Sequence, residues 1–366
     1  MTSFFVYGSL ASPAILNVIL GQGDAPLGQV GVLSGHRAEH GTGPFPWACK
    51  ADDQSITGKV LNNLDKDAST RLSFVVEALG GREDTAFIQT DEGKISARFA
   101  CGVPASHSTL DDGAIQMIEL LAAQEIMSYF NRVDVSELAW RRAMILSRAA
   151  ARQAAHTPKP AELRSTTGRD QVGVHTIETP HQGFFVTRNY QLTHPRFDGT
   201  TSPELRREVF VATDAAIVLP YDPMRDRVLI VEQFRMGPFG RGDARPWMLE
   251  PVAGRLDAGE TPEQCARREC EEEAGLSLHR LDKIASHYCS PGCSTEYFHL
   301  FLGLCDLPDE AAGFGGLDSE QEDIRIHIVS YARAMALLDT GEADNGPLIL
   351  ALLWLSKTRD TLRASA

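Results

Sequence analysis

The sequence is short of positive charge. It has 35 Lys and Arg against 49 Asp and Glu, which leaves a formal net charge of −14. A chain of that charge repels the phosphate backbone of nucleic acids, so we expect no nucleic-acid partner. Stretches of about 18 or more consecutive apolar residues are also lacking, and we expect no membrane span. The first residues, Met1 to Phe5, have neither the basic region nor the long apolar stretch of a signal peptide, so we expect a cytoplasmic protein.

Cysteine is sparse as well. The seven cysteines are scattered and odd in number, which argues against a disulfide framework. Cys289 and Cys293 form a close pair, but no second pair follows at the spacing of a zinc site. We therefore expect reduced thiols and no structural zinc.

The length of 366 residues favours two domains in a mixed α/β (α+β) protein. Residues 1–105 are β-rich and begin with the apolar run 4–7. Residues 106–169 form a predicted helical connector, with helices at 114–130 and 135–155 and a breaker at 157–160. Residues 170–366 form the second predicted domain, in which strands surround a helix at 262–274.

One segment carries clear helix boundaries. Thr261 suits an N-cap, Pro262 the first helical position, and Gln264 completes a capping box. Gly275 suits the left-handed residue that ends a helix. The sequence therefore predicts a helix over residues 262–274.

Three carboxylates share one face of that helix. Glu269, Glu272 and Glu273 stand at i, i+3 and i+4, where like charges repel. A divalent cation relieves the repulsion, and Mg²⁺ prefers oxygen ligands of this kind. The alternative is a solvated acidic face, which is the commoner cause of such a cluster. The loop before the helix favours the metal-binding interpretation, because Gly254 and Gly259 permit tight backbone geometry and Glu260 adds a carboxylate.

The same segment resembles the Nudix box. Gly254 is followed after five residues by Glu260, and after seven more by Arg268-Glu269-Cys270-Glu271-Glu272-Glu273-Ala274-Gly275-Leu276. Only Cys270 departs from the pattern, at a position for a bulky apolar residue. The resemblance implies an α/β/α sandwich with a mixed sheet. It also implies that catalytic metal is held by four residues: Ala253 through its carbonyl, Glu269, Glu272 and Glu273. Arg268 and Glu260 would orient them.

Features outside the box resemble the ADP-ribose pyrophosphatase branch of that family. They are the strand 231–235, the Trp247-x-x-Glu250 motif, Pro291 after the box, and the loop 320–324. The resemblance implies a homodimer and a water-activating carboxylate, Glu322 or Glu320. Magnesium would be the cofactor, with manganese as a possible substitute.

Arg235 and Glu296 are candidates for contact with the substrate, and each allows a second interpretation. Arg235 can pair a phosphate oxygen bidentately, or it can form a salt bridge at a strand end. Glu296 can contact ribose or the metal site, or it can be a solvated loop residue. Glu250 is a further candidate for binding the small-molecule substrate.

The amino terminus resembles a different family. Tyr7-Gly8-Ser9-Leu10 resembles the entry motif of the γ-glutamylcyclotransferase-like fold, a small β-barrel flanked by helices. Its turn offers N–H groups and a hydroxyl to a carboxylate. Glu77 is the nearest match to the catalytic glutamate of that family, although it falls one residue late, and a solvated helix-end glutamate is the alternative.

The favoured function is magnesium-dependent hydrolysis of the pyrophosphate bond in a nucleoside diphosphate sugar, with ADP-ribose giving AMP and ribose 5-phosphate. The alternative is a γ-glutamyl-type cyclotransferase in the first domain, regulated by a Nudix domain that binds a nucleotide sugar.

Overall fold

The computed structural model describes residues 2–21, 28–40, 45–102, 111–157, 159–316 and 322–365. The chain divides into two compact units. The first contains the chain up to Ala212 together with Asp257–Glu260, and the second contains Thr213–Leu256 and the chain from Thr261 onward. The domain boundaries expected at residues 105 and 170 stay predictions, and residue 105 lies outside the described residues.

The first unit contains a closed barrel of five strands in the order β1-β3-β2-β4-β5. These strands are β1 (Thr2–Tyr7), β2 (Gln29–His40), β3 (Pro46–Leu64), β4 (Arg82–Thr90) and β5 (Gly93–Cys101). A small β-barrel is therefore present, as expected. Its kinship with the γ-glutamylcyclotransferase-like family stays a prediction.

Strand β1 is buried on both faces, which accounts for the continuous apolar run at the amino terminus. Phe5 and Tyr7 belong to a core with residues of the other barrel strands, such as Val60. Phe4 and Val6 belong to a second core, which the helices of this unit share. Because successive strand residues point to opposite faces, a strand that is buried on both sides needs apolar residues at every position.

Four α-helices and a second sheet complete the described part of this unit. The helices are α1 (Pro13–Leu20), α2 (Lys66–Ala78), α3 (Asp112–Tyr129) and α4 (Arg142–Ala154). The three-stranded sheet has the order β6-β7-β8, formed by β6 (Gly173–Gln182), β7 (Val186–Thr193) and β8 (Leu205–Val211). Helix α3 confirms the prediction for 114–130. In the predicted helix 135–155, a 3-10 helix occupies Val135–Arg141 before α4 begins.

The second unit contains a mixed sheet. Its strands are β9 (Asp214–Asp222), β10 (Arg227–Phe234), β11 (Trp247–Glu250), β12 (Val252–Arg255), β13 (Arg280–Tyr288), β14 (Tyr297–Leu304), β15 (Gly313–Gly315) and β16 (Ile324–Ser330). The main order is β13-β14-β9-β10-β16-β15, with β11 beside β10 and β12 beside β9. Strands β14 and β9 run parallel, whereas the other pairs are antiparallel.

Helices cover both faces of this sheet. They are α6 (Pro262–Ala274) on one face, and α7 (Tyr331–Thr340) and α8 (Gly346–Ala364) on the other. The short helix α5 (Met236–Arg241) follows β10 and has no buried residue. Cys270 of α6 packs with Val218 and Leu229 on one face. Leu337 of α7 and Leu352 of α8 pack with residues of the other face, such as Ile230. The expected α/β/α layering is therefore found in this unit.

None of the helices within the described ranges is both long enough and apolar enough to span a membrane.

Candidate active site

Helix α6 has the boundaries that the sequence predicts. The Thr261 hydroxyl accepts from the Gln264 amide at 3.2 Å, and the Gln264 side chain accepts from the Thr261 amide at 2.9 Å. Pro262 is the first helical residue, and Gly275 ends the helix at φ +62°. Ala266 and Cys270 are fully buried against the sheet, so the small apolar stripe fixes which face of the helix turns away from it.

The acidic face of α6 is held by one arginine. The Nη1 atom of Arg268 lies 2.7 Å from Oε1 of Glu269 and 2.8 Å from Oε2 of Glu272. Its Nη2 atom donates to the carbonyl of Arg255 at 3.2 Å. Arg268 therefore neutralises two carboxylates of the predicted metal cluster and ties them to the end of β12.

Glu273 is the buried member of the cluster, with only 2% of its surface exposed. Burial, together with the charges of Glu269 and Glu322, raises its pKa to about 9. A hydrogen bond from the Ala253 amide to Oε2, at 3.4 Å, and the charge of Arg235 act in the opposite direction. Five residues that the sequence singles out thus act on one another across this site.

Gly254 is needed for the close approach of the helix. A Cβ atom at this position would lie 1.8 Å from Oε1 of Glu269, well inside contact distance. The loop that follows is closed by the Glu260 carboxylate, which accepts from the Asp257 amide at 3.1 Å. The glycine that opens the predicted motif therefore makes room for a carboxylate of the same motif.

Arg235 lies at the end of β10 and forms a part-buried ion pair. Its Nε atom donates to Oε2 of Glu250 at 2.7 Å. Oε1 of Glu250 accepts from Nδ2 of Asn345 at 2.9 Å. The salt-bridge alternative for Arg235 is therefore present, and the charge of the same group still reaches Glu273. Its phosphate-binding role stays a prediction.

The late carboxylate loop is described only in part. Glu320 lies outside the described residues. Glu322 is half-buried, and a Cβ added at Gly316 would meet its Cβ at 2.8 Å. The charge of Glu322 raises the pKa of Glu273, so the two carboxylates are within electrostatic range of each other.

Pro291 lies in a turn between β13 and β14. The Cys289 amide donates to the carbonyl of Glu296 at 3.3 Å, which closes the turn. The Cys289 thiol donates to Oε2 of Glu296 at 3.0 Å, and this contact and burial raise the thiol pKa. None of the seven cysteines, all within the described residues, forms a disulfide. The structure thus gives Glu296 a thiol partner, and its substrate role stays a prediction.

The donor set of α6 fits a hard divalent cation. Glu269, Glu272 and Glu273 supply carboxylate oxygens on one helix face, and the buried Glu273 is the group that a cation would stabilise most. Among the described residues no three side chains already stand at metal-binding distance. Arg268 contacts one oxygen of Glu269 and one of Glu272, so a bound cation would share these carboxylates with the arginine or displace it.

The candidate residues of the first unit lie in different environments. Tyr7 is buried, and its hydroxyl donates to the Ala100 carbonyl at 2.5 Å and accepts from the Ala48 amide at 2.7 Å. Gly8, Ser9 and Leu10 lie in a 3-10 helix, with Gly8 at φ +55°. Glu77 is exposed near the end of α2.

Another carboxylate contacts that motif instead. Glu119 of α3 is 1% exposed, and its Oε1 atom accepts from the Ser9 hydroxyl at 2.6 Å. Its Oε2 atom is buried without a hydrogen-bond partner in the described part of the chain. Burial raises the pKa of Glu119 to about 8. No local signal marks Glu119, because it is 110 residues from Ser9 and reads as part of an ordinary helix.

Known proteins resemble the C-terminal part of this chain. A family model described as the NUDIX domain matches residues 211–352. The chain is 40% identical over 205 residues to the ADP-ribose pyrophosphatase of Escherichia coli strain K12, which is 56% of this chain and 97% of that protein. It is 38% identical over 190 residues to the ADP-ribose pyrophosphatase of Haemophilus influenzae, or 51% and 87% of the two chains.

More distant relatives follow. A GDP-mannose pyrophosphatase of Citrobacter koseri is 33% identical over 174 residues, which is 47% of this chain and 88% of that protein. A crystal structure of an ADP compounds hydrolase covers 51% of this chain and 96% of its own, at 18% identity and a TM-score of 0.41.

The box that runs from Gly254 to Leu276 lies inside the matched range and folds as the capped acidic helix described above. The box and the relatives together show that the chain belongs to the Nudix family and is a pyrophosphohydrolase of that family.

Proposed function

We propose that this protein hydrolyses the pyrophosphate bond of ADP-ribose to AMP and ribose 5-phosphate, with Mg²⁺ as the cofactor. The observation that carries the proposal is the capped helix α6, whose acidic face brings together Glu269, Glu272 and the buried Glu273. Relatives named ADP-ribose pyrophosphatase, at 38–40% identity, favour ADP-ribose over other nucleoside diphosphate sugars.

Glu269, Glu272 and Glu273 are the residues that would hold the metal, with the Ala253 carbonyl as a further ligand. Bound Mg²⁺ ions, or Mn²⁺ in their place, neutralise phosphate charge and lower the pKa of a bound water. The carboxylates need to be ionised for this role. The burial that raises the pKa of Glu273 therefore makes metal binding and loss of its proton linked events.

The chain's other residues have separate tasks in this proposal. Arg235 binds a phosphate oxygen through its two Nη atoms, since its contact with Glu250 is made by Nε. Glu322 or Glu320 accepts the proton of the attacking water, as a general base on the late loop. Glu296 contacts the ribose side of the substrate.

The test is product analysis with purified full-length protein. ADP-ribose with Mg²⁺ should give equimolar AMP and ribose 5-phosphate, and excess chelator should abolish the reaction. GDP-mannose and other nucleoside diphosphate sugars serve as competitors, and we expect kcat/KM to be highest for ADP-ribose. Faster turnover of another sugar would overturn the substrate assignment, and the absence of phosphate-ester products from the whole panel would overturn the reaction itself.

We further propose that the active form is a homodimer. The branch resemblance that names the substrate also implies subunits that share the site. Light scattering should give twice the chain mass of 40.0 kDa. A mass of one chain at concentrations where the enzyme is active would contradict this.

A second candidate function concerns the first unit. The contact between Ser9 and the buried Glu119 favours a site for proton transfer in cyclisation of a γ-glutamyl compound. In that reaction the α-amino nitrogen attacks the γ-carbonyl carbon, the γ-amide bond breaks, and the amine leaves with the proton. Incubation with γ-glutamyl amino acids should release 5-oxoproline from wild-type protein and not from Glu119→Gln. Equal release from both would remove Glu119 from the reaction.

A further inference from the structure

A chain of three side chains connects Arg235 to the start of helix α8. Nε of Arg235 donates to Oε2 of Glu250 at 2.7 Å, and Oε1 of Glu250 accepts from Nδ2 of Asn345 at 2.9 Å. Asn345 is also the N-cap of α8, because its Oδ1 atom accepts from the Leu348 amide at 3.1 Å. Both carboxylate oxygens of Glu250 and both heteroatoms of the Asn345 side-chain amide therefore have defined partners.

The orientation of the Asn345 amide follows from these contacts. A side-chain amide has one acceptor oxygen and one donor nitrogen. Since the Leu348 amide can only donate, Oδ1 must face it, and Nδ2 must then face Glu250. The helix cap therefore decides that a donor, and not an acceptor, is presented to the carboxylate.

Glu250 is shielded and has little freedom to move. Its side chain is 12% exposed. Burial and the charge of Asp344 disfavour its ionised form, whereas Arg235 and Asn345 favour it. Asn345 fixes one carboxylate oxygen, which leaves the other to orient Arg235 through Nε. The contact between Nε of Arg235 and Glu250 therefore sets the direction of the Nη atoms.

Helix α8 is a firm anchor for this arrangement. Leu348, Ala351, Leu352 and Leu355 are fully buried in the core that α8 shares with the sheet. A position fixed to the first turn of this helix is therefore fixed to the sheet that also bears Arg235.

We propose that Asn345 is a positioning residue, which sets the direction of the Arg235 guanidinium toward the substrate diphosphate through Glu250. This inference rests on the proposed function. In the proposed function, Asn345 itself contacts neither the substrate nor the metal. A small misplacement of a phosphate-binding group lowers catalytic efficiency strongly, because binding geometry fixes the reacting atoms.

The decisive variant is Asn345→Asp. Aspartate is as good an N-cap as asparagine, so α8 should keep its cap. It has no donor for Glu250 and places a second carboxylate against the first. We expect kcat/KM for ADP-ribose to fall about 10- to 100-fold, with a raised KM. An unchanged kcat/KM would overturn the proposal.

A matched control separates this effect from loss of a helix cap. Ser330 caps α7 in the same unit, with its hydroxyl accepting from the Arg333 amide at 3.2 Å. Ser330→Ala should lower the melting temperature and leave kcat/KM unchanged. If Ser330→Ala lowers kcat/KM as much as Asn345→Asp does, the role of Asn345 is merely structural.

Reversal of the hydrogen-bond polarity gives a rescue test. In Glu250→Gln alone, one acceptor oxygen is claimed by both Asn345 and Arg235. In the double variant with Asn345→Asp, the new glutamine amide donates to the aspartate, and its oxygen accepts from Arg235. We expect the double variant to have a higher kcat/KM than either single variant. A value at or below the product of the two single effects would contradict the link.

These outcomes are distinct from failure of the proposed function. If wild-type protein releases no AMP from ADP-ribose, the proposed substrate fails. If wild-type protein is active and both Asn345 tests come out unchanged, only the positioning role fails.

Discussion

The Nη1 atom of Arg268 lies 2.7 Å from Oε1 of Glu269, so a cation of the chain itself occupies a carboxylate expected to bind metal. Glu272 shares the same nitrogen at 2.8 Å. An arginine in this place reduces the repulsion between the two glutamates that sequence spacing predicts. It also means that metal binding competes with an internal ion pair.

The first prediction concerns this competition. Arg268→Gln should lower the free energy of unfolding of metal-free protein by about 1 kcal/mol or less, because these ion pairs are partly solvent-screened. Saturating Mg²⁺ should remove most of the difference, since the metal replaces the lost cation. Thermal unfolding with and without Mg²⁺ measures this.

Arg267→Gln is the control for that series. Arg267 is the neighbouring residue, and its Nη1 atom donates to the Leu278 carbonyl at 2.7 Å instead of to the acidic cluster. Its destabilisation should be the same at both metal concentrations. A metal-independent loss in Arg268→Gln as well would show that Arg268 does not compete with the metal.

The second prediction tests the buried carboxylate. Glu273→Gln removes the negative charge and keeps the shape, so the turnover of ADP-ribose should fall on the order of 10³-fold. The melting temperature without metal should stay close to wild type, because burial already favours the neutral carboxyl. Glu271→Gln, at an exposed position of the same helix, should keep full activity. Near-normal turnover in Glu273→Gln would remove this residue from the metal site.

The third prediction uses the close approach at Gly254. Gly254→Ala places a methyl group where the Glu269 carboxylate lies, so the loop or the helix must move. We expect a loss of about 1–3 kcal/mol in stability, as for overpacking. We also expect half-maximal activity to require a higher Mg²⁺ concentration, because the displaced Glu269 binds the metal less well. Gly240→Ala is the control, since a Cβ there meets no atom within 4 Å. Equal behaviour of the two variants would contradict the steric argument.

Local signals in the sequence predict local structure well. The cap, proline and glycine of α6 lie within one segment, and the helix has the predicted bounds of 262–274. Short-range periodicity likewise predicts α3. Helix α2 is predicted only through the alternative that places Glu77 at a helix end, although Asp65 also signals its start by accepting from the Ala68 amide at 2.8 Å.

Contacts between distant segments are not legible in the same way. Glu250 meets Asn345 across 95 residues, and Ser9 meets Glu119 across 110. Nothing near Asn345 or Glu119 in the sequence indicates that these residues contact Glu250 and Ser9. The family motif supplied the metal-site candidates only because their spacing lies within one helix and its preceding loop.

The last prediction follows from the burial of Glu119. Its pKa is raised from an ordinary value of 4.5 to about 8, so the folded protein keeps a proton that the unfolded chain releases between these pH values. The free energy of unfolding therefore loses on the order of 1.4 kcal/mol per pH unit in that window through this group. Glu119→Gln cannot titrate, and the stability of the variant relative to wild type should rise steadily from pH 5 to pH 8. Glu77→Gln, on the exposed face of α2, should show no such trend in the same denaturant titrations. Parallel curves for wild type and Glu119→Gln would mean that Glu119 is ionised in the folded protein at neutral pH.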